Sequence, residues 1–335
     1  MTKTIKSKIF LFSLLLIIVS MFFSCPNPVE PVTPPVESVT TIYVAGYYYD
    51  VWDTGICIAC YWKDGTRTDL STDNSYANSI FVSGSDVYVS GYYYNGTKDI
   101  ACYWKNGNKI DLSTDKSYAY SIFVSGSDVY VAGKYYDGTN YIACYWENGT
   151  KIDLSTDKSY ANSIFVSGSD VYVAGSYDNG LIDIACYWKN GTKINLPGDF
   201  SEAKSIFVSG SDVYVAGRYW NGSTHIACYW ENGNKIDLST DKSYAYSIFV
   251  SGSDVYVAGE YYDGSNYIAC YWENGTKIYL PGDNFPRSIF VSGSDVYMAG
   301  YYKDTACYWK NGTKTDLPTP IDMHSYAYSI FVVTQ

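Results

Sequence analysis

From residue 42 onward the chain sets short apolar runs between turn residues, and it does so on a fixed period. The run Ser-Ile-Phe-Val-Ser-Gly-Ser-Asp-Val-Tyr-Val-Ala-Gly begins, with small changes, at Ser79, Ser121, Ser163, Ser205, Ser247 and Ser288, and a clipped copy begins at Ser329. A second run, Ala-Cys-Tyr-Trp, ends at Trp62, Trp104, Trp146, Trp188, Trp230, Trp272 and Trp309. Within one unit, Ser121 to Val124 predicts a first strand and Ser125 to Asp128 a tight turn. Val129 to Ala132 predicts a second strand, Tyr136 to Asn140 a longer loop, and Ile142 to Trp146 a third strand. Asn148-Gly149 predicts a type I′ hairpin turn before a fourth strand, Lys151 to Leu154. β-branched and aromatic residues dominate all four strands, and no segment past the leader shows a helical period.

A period of about 42 residues with four short strands per unit predicts an all-β fold, a seven-bladed β-propeller of four-stranded antiparallel blades. Blades packed face to face cover both faces of each sheet, which explains runs such as Ile-Ala-Cys-Tyr-Trp that lack clean alternation. The phase of the two ends predicts how the ring closes. The domain starts on a second-strand run at Ile42 and ends on a first-strand run at Ser329. Blade one is then completed by a C-terminal inner strand, residues 327–333, with its other three strands in 42–70. Such closure covers the edges that an open array would expose.

The first forty residues differ from the rest. Lys3, Lys6 and Lys8 precede an apolar run from Ile9 to Phe23, too short for a membrane span and in the order of an export signal, residues 1–24. Phe22-Phe23-Ser24-Cys25 resembles the lipobox of bacterial lipoproteins, although a leucine is usual where Phe22 stands. The resemblance implies acylation of Cys25 and anchoring in the cell envelope, and Pro26 in place of aspartate implies the outer membrane. Residues 25–40 hold five of the ten prolines and predict an extended Pro-rich tether of up to roughly 50 Å. The propeller domain is residues 41–335. The chain carries 23 basic and 34 acidic residues, net −11, and loses three lysines with the leader, leaving −14. That balance argues against nucleic acid as a partner.

The runs Ala-Cys-Tyr-Trp-Lys-Asn-Gly at 101–107, Asp111-Leu112 and Tyr118-Ala119 resemble the extracellular HAF-type repeats of bacteria. The resemblance spans the repeat region and implies fold and export, with no activity to carry over. Of the eight cysteines after Cys25, seven (Cys60, Cys102, Cys144, Cys186, Cys228, Cys270 and Cys307) occupy one place in each blade. Stacked sheets lie about 10 Å apart, too far for disulfides, so these cysteines read as small buried hydrophobes. Cys57-Ile-Ala-Cys60 is formally a CxxC pair, with no companion ligands for a metal. The Asn-Gly-Thr/Ser triplets read as turns, and the recurrent aspartates Asp128, Asp170 and Asp212 as acceptors for nearby backbone N–H groups. The sequence carries no nucleophile elbow, zinc-protease motif or phosphate loop, and it assigns no catalytic residue, metal or cofactor.

Positions that differ between otherwise identical repeats are the candidates for a site. One column enters the inner strand: Asn78, Tyr120, Asn162, Lys204, Tyr246, Arg287 and Tyr328. A second follows the Ala/Ser-Gly step of the second strand: Tyr47, Tyr92, Lys134, Ser176, Arg218, Glu260 and Tyr301. A third opens the third strand, with Cys57, Asp99, Tyr141, Asp183, His225, Tyr267 and Asp304. The candidate ligand-binding set comprises the first column with Lys134, Arg218 and Glu260, on the loop face of the ring. An invariant tyrosine column (Tyr48, Tyr93, Tyr135, Tyr177, Tyr219, Tyr261, Tyr302) reads either as funnel lining or as blade packing. The leading expectation is a monomeric, lipid-anchored, non-catalytic module that binds a protein or glycan. Two alternatives stay open. One is a glycoside hydrolase or lyase using rim carboxylates such as Asp99, Asp183 and Glu260. The other is a structural subunit of an envelope assembly.

Overall fold

The computed structural model describes residues 39–49, 55–280 and 284–335. The leader, Cys25 and nearly all of the Pro-rich tether lie outside the described residues. Within them the chain forms seven sheets of four antiparallel strands. In blade 2 the strands are Ser75–Ser83, Asp86–Tyr94, Asp99–Lys105 and Asn108–Asp111. Blade 1 joins both ends of the chain: the inner strand His324–Thr334 pairs with Thr40–Tyr49, which is followed by Cys57–Lys63 and Thr66–Asp69. The inner strand is longer than residues 327–333, because pairing with Thr40–Tyr49 continues from His324 to Thr334.

Four repeated devices hold the ring. Trp62, Trp104, Trp146, Trp188, Trp230, Trp272 and Trp309 are each 0% exposed. Each indole removes enough apolar area from water to contribute roughly 5 kcal/mol. The cysteine two residues before each tryptophan is also buried, and Cys102, for example, packs in one cluster with Ala45 and Ala59 of the preceding blade. All eight described cysteines are unbonded. On the inner strands, each Ser-Ile-Phe serine accepts a hydrogen bond from the isoleucine amide of the next blade, at 3.1–3.3 Å, at all seven interfaces. The phenylalanines of the same run, Phe81, Phe123, Phe165, Phe207, Phe249, Phe290 and Phe331, form a closed collar with neighbouring centroids 4.8–5.1 Å apart. A regular heptagon of that side puts the centroids about 5.6 Å from the axis, so the lumen is apolar and only a few ångströms wide.

The two faces of the ring differ. On one face the two hairpin turns of each blade are tied by the same bond in six blades. The Asn106 amide donates to Asp86 at 2.8 Å, and the Asn106 side-chain carbonyl accepts from the Val87 amide. The pairs Asn148–Asp128, Asn190–Asp170, Asn232–Asp212, Asn274–Asp254 and Asn311–Asp295 repeat it at 2.8–3.0 Å. Backbone N–H donors were expected for these aspartates; a side-chain amide takes that place, because the I′ turn puts asparagine at φ near 50° opposite them. On the other face lie the loops from second to third strand and from fourth strand to the next inner strand. They are joined by bonds such as the Tyr136 amide to the Lys116 carbonyl.

Candidate ligand-binding site at the channel mouth

The pairing register explains how the variable positions come together. In every blade the first-column residue is the extra residue of a β-bulge: the pairing shifts between Ala77 and Ser79, for instance, leaving Asn78 unopposed. A bulge re-aims side chains, and here it does so at the loop-face end of the channel. The bulge brings the Tyr76 carbonyl over Gly91, where any Cβ would collide with it, and the same holds at the equivalent glycine of each blade. The glycine of the Val-Tyr-Val-Ala-Gly run is therefore the partner of the bulge.

Directly across from each second-column residue stands a residue that sequence reasoning left inside a constant motif. The pairs are Tyr76–Tyr92, Tyr118–Lys134, Tyr160–Ser176, Glu202–Arg218, Tyr244–Glu260, Phe285–Tyr301 and Tyr326–Tyr47. The signal for this column was present: Glu202 and Phe285 replace tyrosine in two of the seven copies.

The mouth is asymmetric. Across blades 7, 1, 2 and 3 runs an aromatic arc. Tyr301 meets Tyr326 at 4.9 Å, Tyr326 meets Tyr47 at 5.3 Å, and Tyr47 meets Tyr76 at 4.8 Å. Tyr76 stacks on Tyr92, which meets Tyr118 edge-on, both at 4.8 Å. Tyr328 stacks on Tyr47 at 5.7 Å. Burial pushes the hydroxyl pKa values of Tyr47, Tyr92 and Tyr120 up, so these rings are neutral phenols at any physiological pH. The Lys134 ammonium stands at the end of the arc, over the rings of Tyr141, Tyr160, Tyr118 and Tyr120.

Blade 4 interrupts the arc with Ser176, and the Asn162 amide is spent on the Ala203 carbonyl at 2.8 Å, as Asn78 is on Ala119. A charged arc follows on blades 5 to 7. Glu202 receives Arg218 at 2.7 Å and Lys204 at 3.1 Å. Burial raises the Glu202 pKa, but the two cations more than offset this and hold it below its ordinary value. Arg218 lies over Tyr244 at 4.9 Å. The Tyr246 hydroxyl donates to Glu260 at 2.6 Å, and Arg287 lies over the Tyr246 ring at 4.7 Å and donates to the Tyr301 hydroxyl at 2.9 Å. Glu260 is 7% exposed, yet its second carboxylate oxygen has no hydrogen-bond partner among the described residues; neither have the Nε atoms of Arg218 and Arg287. The register thus puts each first-column residue at the same bulge of its inner strand, and Lys134, Arg218 and Glu260 on the strands paired with them, with Asn78 and Asn162 engaged in blade contacts.

The third column forms an outer tier. Asp99 and Asp304 accept from Tyr118 and Tyr326 at 2.7 and 2.9 Å, and His225 and Tyr267 lie against Tyr244. Asp99, Asp183 and Glu260 stand on blades 2, 4 and 6. The invariant tyrosines tie the second strand to the fourth strand within their own blade. Tyr93, for example, lies under the Lys109 ammonium at 3.2 Å and donates to Asp111 at 3.1 Å, a rung repeated with Lys151 and Asp153 at Tyr135. Among the described residues, no three His, Cys, Asp or Glu side chains gather as a metal site requires.

No family model matches the chain, and no curated protein does. Solved structures do. The acylaminoacyl peptidase of Pyrococcus horikoshii is similar over 83% of this chain and 50% of its own, at 10% identity and a TM-score of 0.53. TolB from Acinetobacter baumannii is similar over 70% of this chain and 62% of its own, at 10% identity and a TM-score of 0.47. A protein from Lactobacillus plantarum is similar over 88% of this chain and 99% of its own, at 12% identity and a TM-score of 0.47. The chain spans about half the length of the peptidase. That first likeness shows the fold and nothing of activity, and the other two are too distant to carry an argument.

Proposed function

We propose that this protein is a non-catalytic lipoprotein of the cell envelope, built of HAF-like repeats, that binds a protein or glycan at the mouth of its ring. The observation that carries the reading is the contrast between the two faces. One face repeats the same Asn–Asp tie in six blades, while the other carries a different triplet of side chains in every blade and buries charged atoms that have no hydrogen-bond partner among the described residues. Packing alone asks for neither. Polar atoms left unpaired in a buried site cost about 1–3 kcal/mol each, which a ligand's own polar groups can return on binding. Tyrosine faces and hydroxyls suit ligands that are apolar on one side and hydrogen-bonding on another. The signal-like leader, Cys25 and the tether support display at a bilayer, in the outer membrane, as a monomer.

The test is co-purification from native envelope. Wild type is compared with a variant in which Lys204, Tyr246 and Arg287 are alanine, and with one carrying Lys105→Ala and Lys189→Ala on the opposite face. The reading expects one ligand shared by wild type and the opposite-face variant and lost from the mouth variant. Retention by the mouth variant overturns it. Cys25→Ser is expected to move the protein from the membrane to the soluble fraction; continued membrane association overturns the anchor.

A further inference from the structure

We propose that Lys134 and the tyrosines around it form an anion subsite that takes the carboxylate of an acidic sugar. The inference rests on the binding function proposed above and names the chemistry of its ligand.

The second column places a charged residue in the mouth on three blades, and two of the three are answered by a neighbour. Arg218 has Glu202 at 2.7 Å, and Glu260 has the Tyr246 hydroxyl at 2.6 Å. Lys134 differs. Its ammonium stands 4.5 Å from the ring centroid of Tyr141, 4.8 Å from Tyr160, 5.2 Å from Tyr118 and 5.4 Å from Tyr120, with no carboxylate or hydrogen-bond acceptor partner among the described residues. Asp99, which reaches this neighbourhood through Tyr118, is occupied by the Tyr118 hydroxyl at 2.7 Å.

Each ring face attracts a cation by about 0.5–2 kcal/mol, but ring faces carry no net charge, so the ammonium stands without the counter-charge that a carboxylate would supply. Burial, with Lys116 and Lys204 adding repulsion, brings the Lys134 amine down to about 8. The deficit is one negative charge, in a place walled by aromatic faces and phenol hydroxyls. A carboxylate on a pyranose supplies that charge and a ring to lie against tyrosine. The closed seven-phenylalanine collar leaves a narrow lumen and no groove along which an extended peptide could run, which favours a compact sugar unit.

The experiment uses the full chain in detergent on an array of glycans bearing uronate or sialate groups, the same glycans with each carboxyl reduced to the alcohol, and glutamate-rich peptides. Wild type is expected to retain carboxylated glycans at least tenfold better than their reduced forms. Lys134→Met is expected to lose that preference and Lys134→Arg to keep it. In parallel, lysines are reductively methylated with carbon-13. The Lys134 resonance is expected to titrate near 8 in the free protein and more than one pH unit higher with the retained glycan bound. Equal binding of acidic and reduced glycans, an intact preference in Lys134→Met, or retention of the peptides alone overturns the carboxylate assignment and leaves mouth binding standing. Glycan binding that also survives alanine at Lys204, Tyr246 and Arg287 overturns both readings, whereas an array that retains nothing overturns the carboxylate assignment alone and leaves mouth binding to the co-purification test.

Discussion

Gly175→Ala puts the bulge geometry to the test. Gly175 follows Ala174 on the second strand of blade 4, opposite Ala161 and next to the bulged Asn162. A Cβ built there falls far inside the 3.0 Å limit of real Cβ contacts with the Tyr160 carbonyl oxygen, 2.9 Å from the carbonyl carbon and 3.0 Å from Trp188 Cζ3. Neither neighbour can yield. The carbonyl is main chain inside a paired strand, and Trp188 is fully buried. Overpacking of this kind costs about 3 kcal/mol or somewhat more, at the upper end of the usual range. For a cooperative domain of about 300 residues, an unfolding entropy near 2 cal/mol/K per residue converts that loss into a melting-point drop of roughly 5 °C.

Gly149→Ala is the control. Gly149 has φ of 82° in a hairpin turn, and nothing lies within 4 Å of the place its methyl would take. Its cost is conformational, about 1–2 kcal/mol, or roughly 2–3 °C. Differential scanning calorimetry of the two variants is the assay. If Gly175→Ala melts within about 2 °C of wild type, or no lower than Gly149→Ala, the claim that the glycine column exists to admit the bulge is wrong.

Three further outcomes are expected. Ser121→Ala leaves the Ile164 amide without its acceptor at the interface of blades 3 and 4; it lowers stability by about 1–2 kcal/mol, measured by urea denaturation, and a neutral result contradicts the inter-blade clip. Lys134→Met raises the melting point at pH 7. The folded pKa of Lys134, about 8, lies below its unfolded value of 10.5, so the charged amine opposes folding fully below pH 8 and the penalty fades as pH rises towards 10.5. The groups facing it are Tyr118, Tyr120, Tyr141, Tyr160, Lys116 and Lys204, and a gap between variant and wild type that widens with rising pH contradicts this sign. Native protein with Cys25 replaced should react negligibly with a thiol reagent, and all eight remaining cysteines should react once unfolded, because every one is buried and burial pushes their thiols up, that of Cys307 to about 12; rapid native labelling of several thiols contradicts blade-interface burial.

The repeat carried most of the fold in plain view. Strand number, turn positions and the completion of blade 1 by the C-terminal strand follow from period and phase, since both are properties of neighbouring residues. The bulge did not follow. Whether Asn78 or Lys204 is opposed or extra depends on a pairing register set across space, and Gly91 reads as an ordinary small residue after Ser90 until the Tyr76 carbonyl is seen to lean over it. The Tyr76 column was missed for a related reason. Tyrosine in five of seven copies looks constant along the chain, and only the ring shows that Glu202 and Phe285 sit in the same mouth as Arg218 and Tyr301. The partners of Lys204 and Glu260 were likewise invisible, because Glu202 and Tyr246 reach them only once the bulge has turned the side chains of the inner strand.

The most direct test of the account is a high-resolution crystal structure of the protein purified from native envelope, inspected for density in the channel mouth. The account predicts a ligand within hydrogen-bond distance of Arg287 or Glu260, with an anionic group beside Lys134. A ligand seated on the opposite face or along the outer strands, with Lys134, Glu260 and Arg287 untouched, would contradict it.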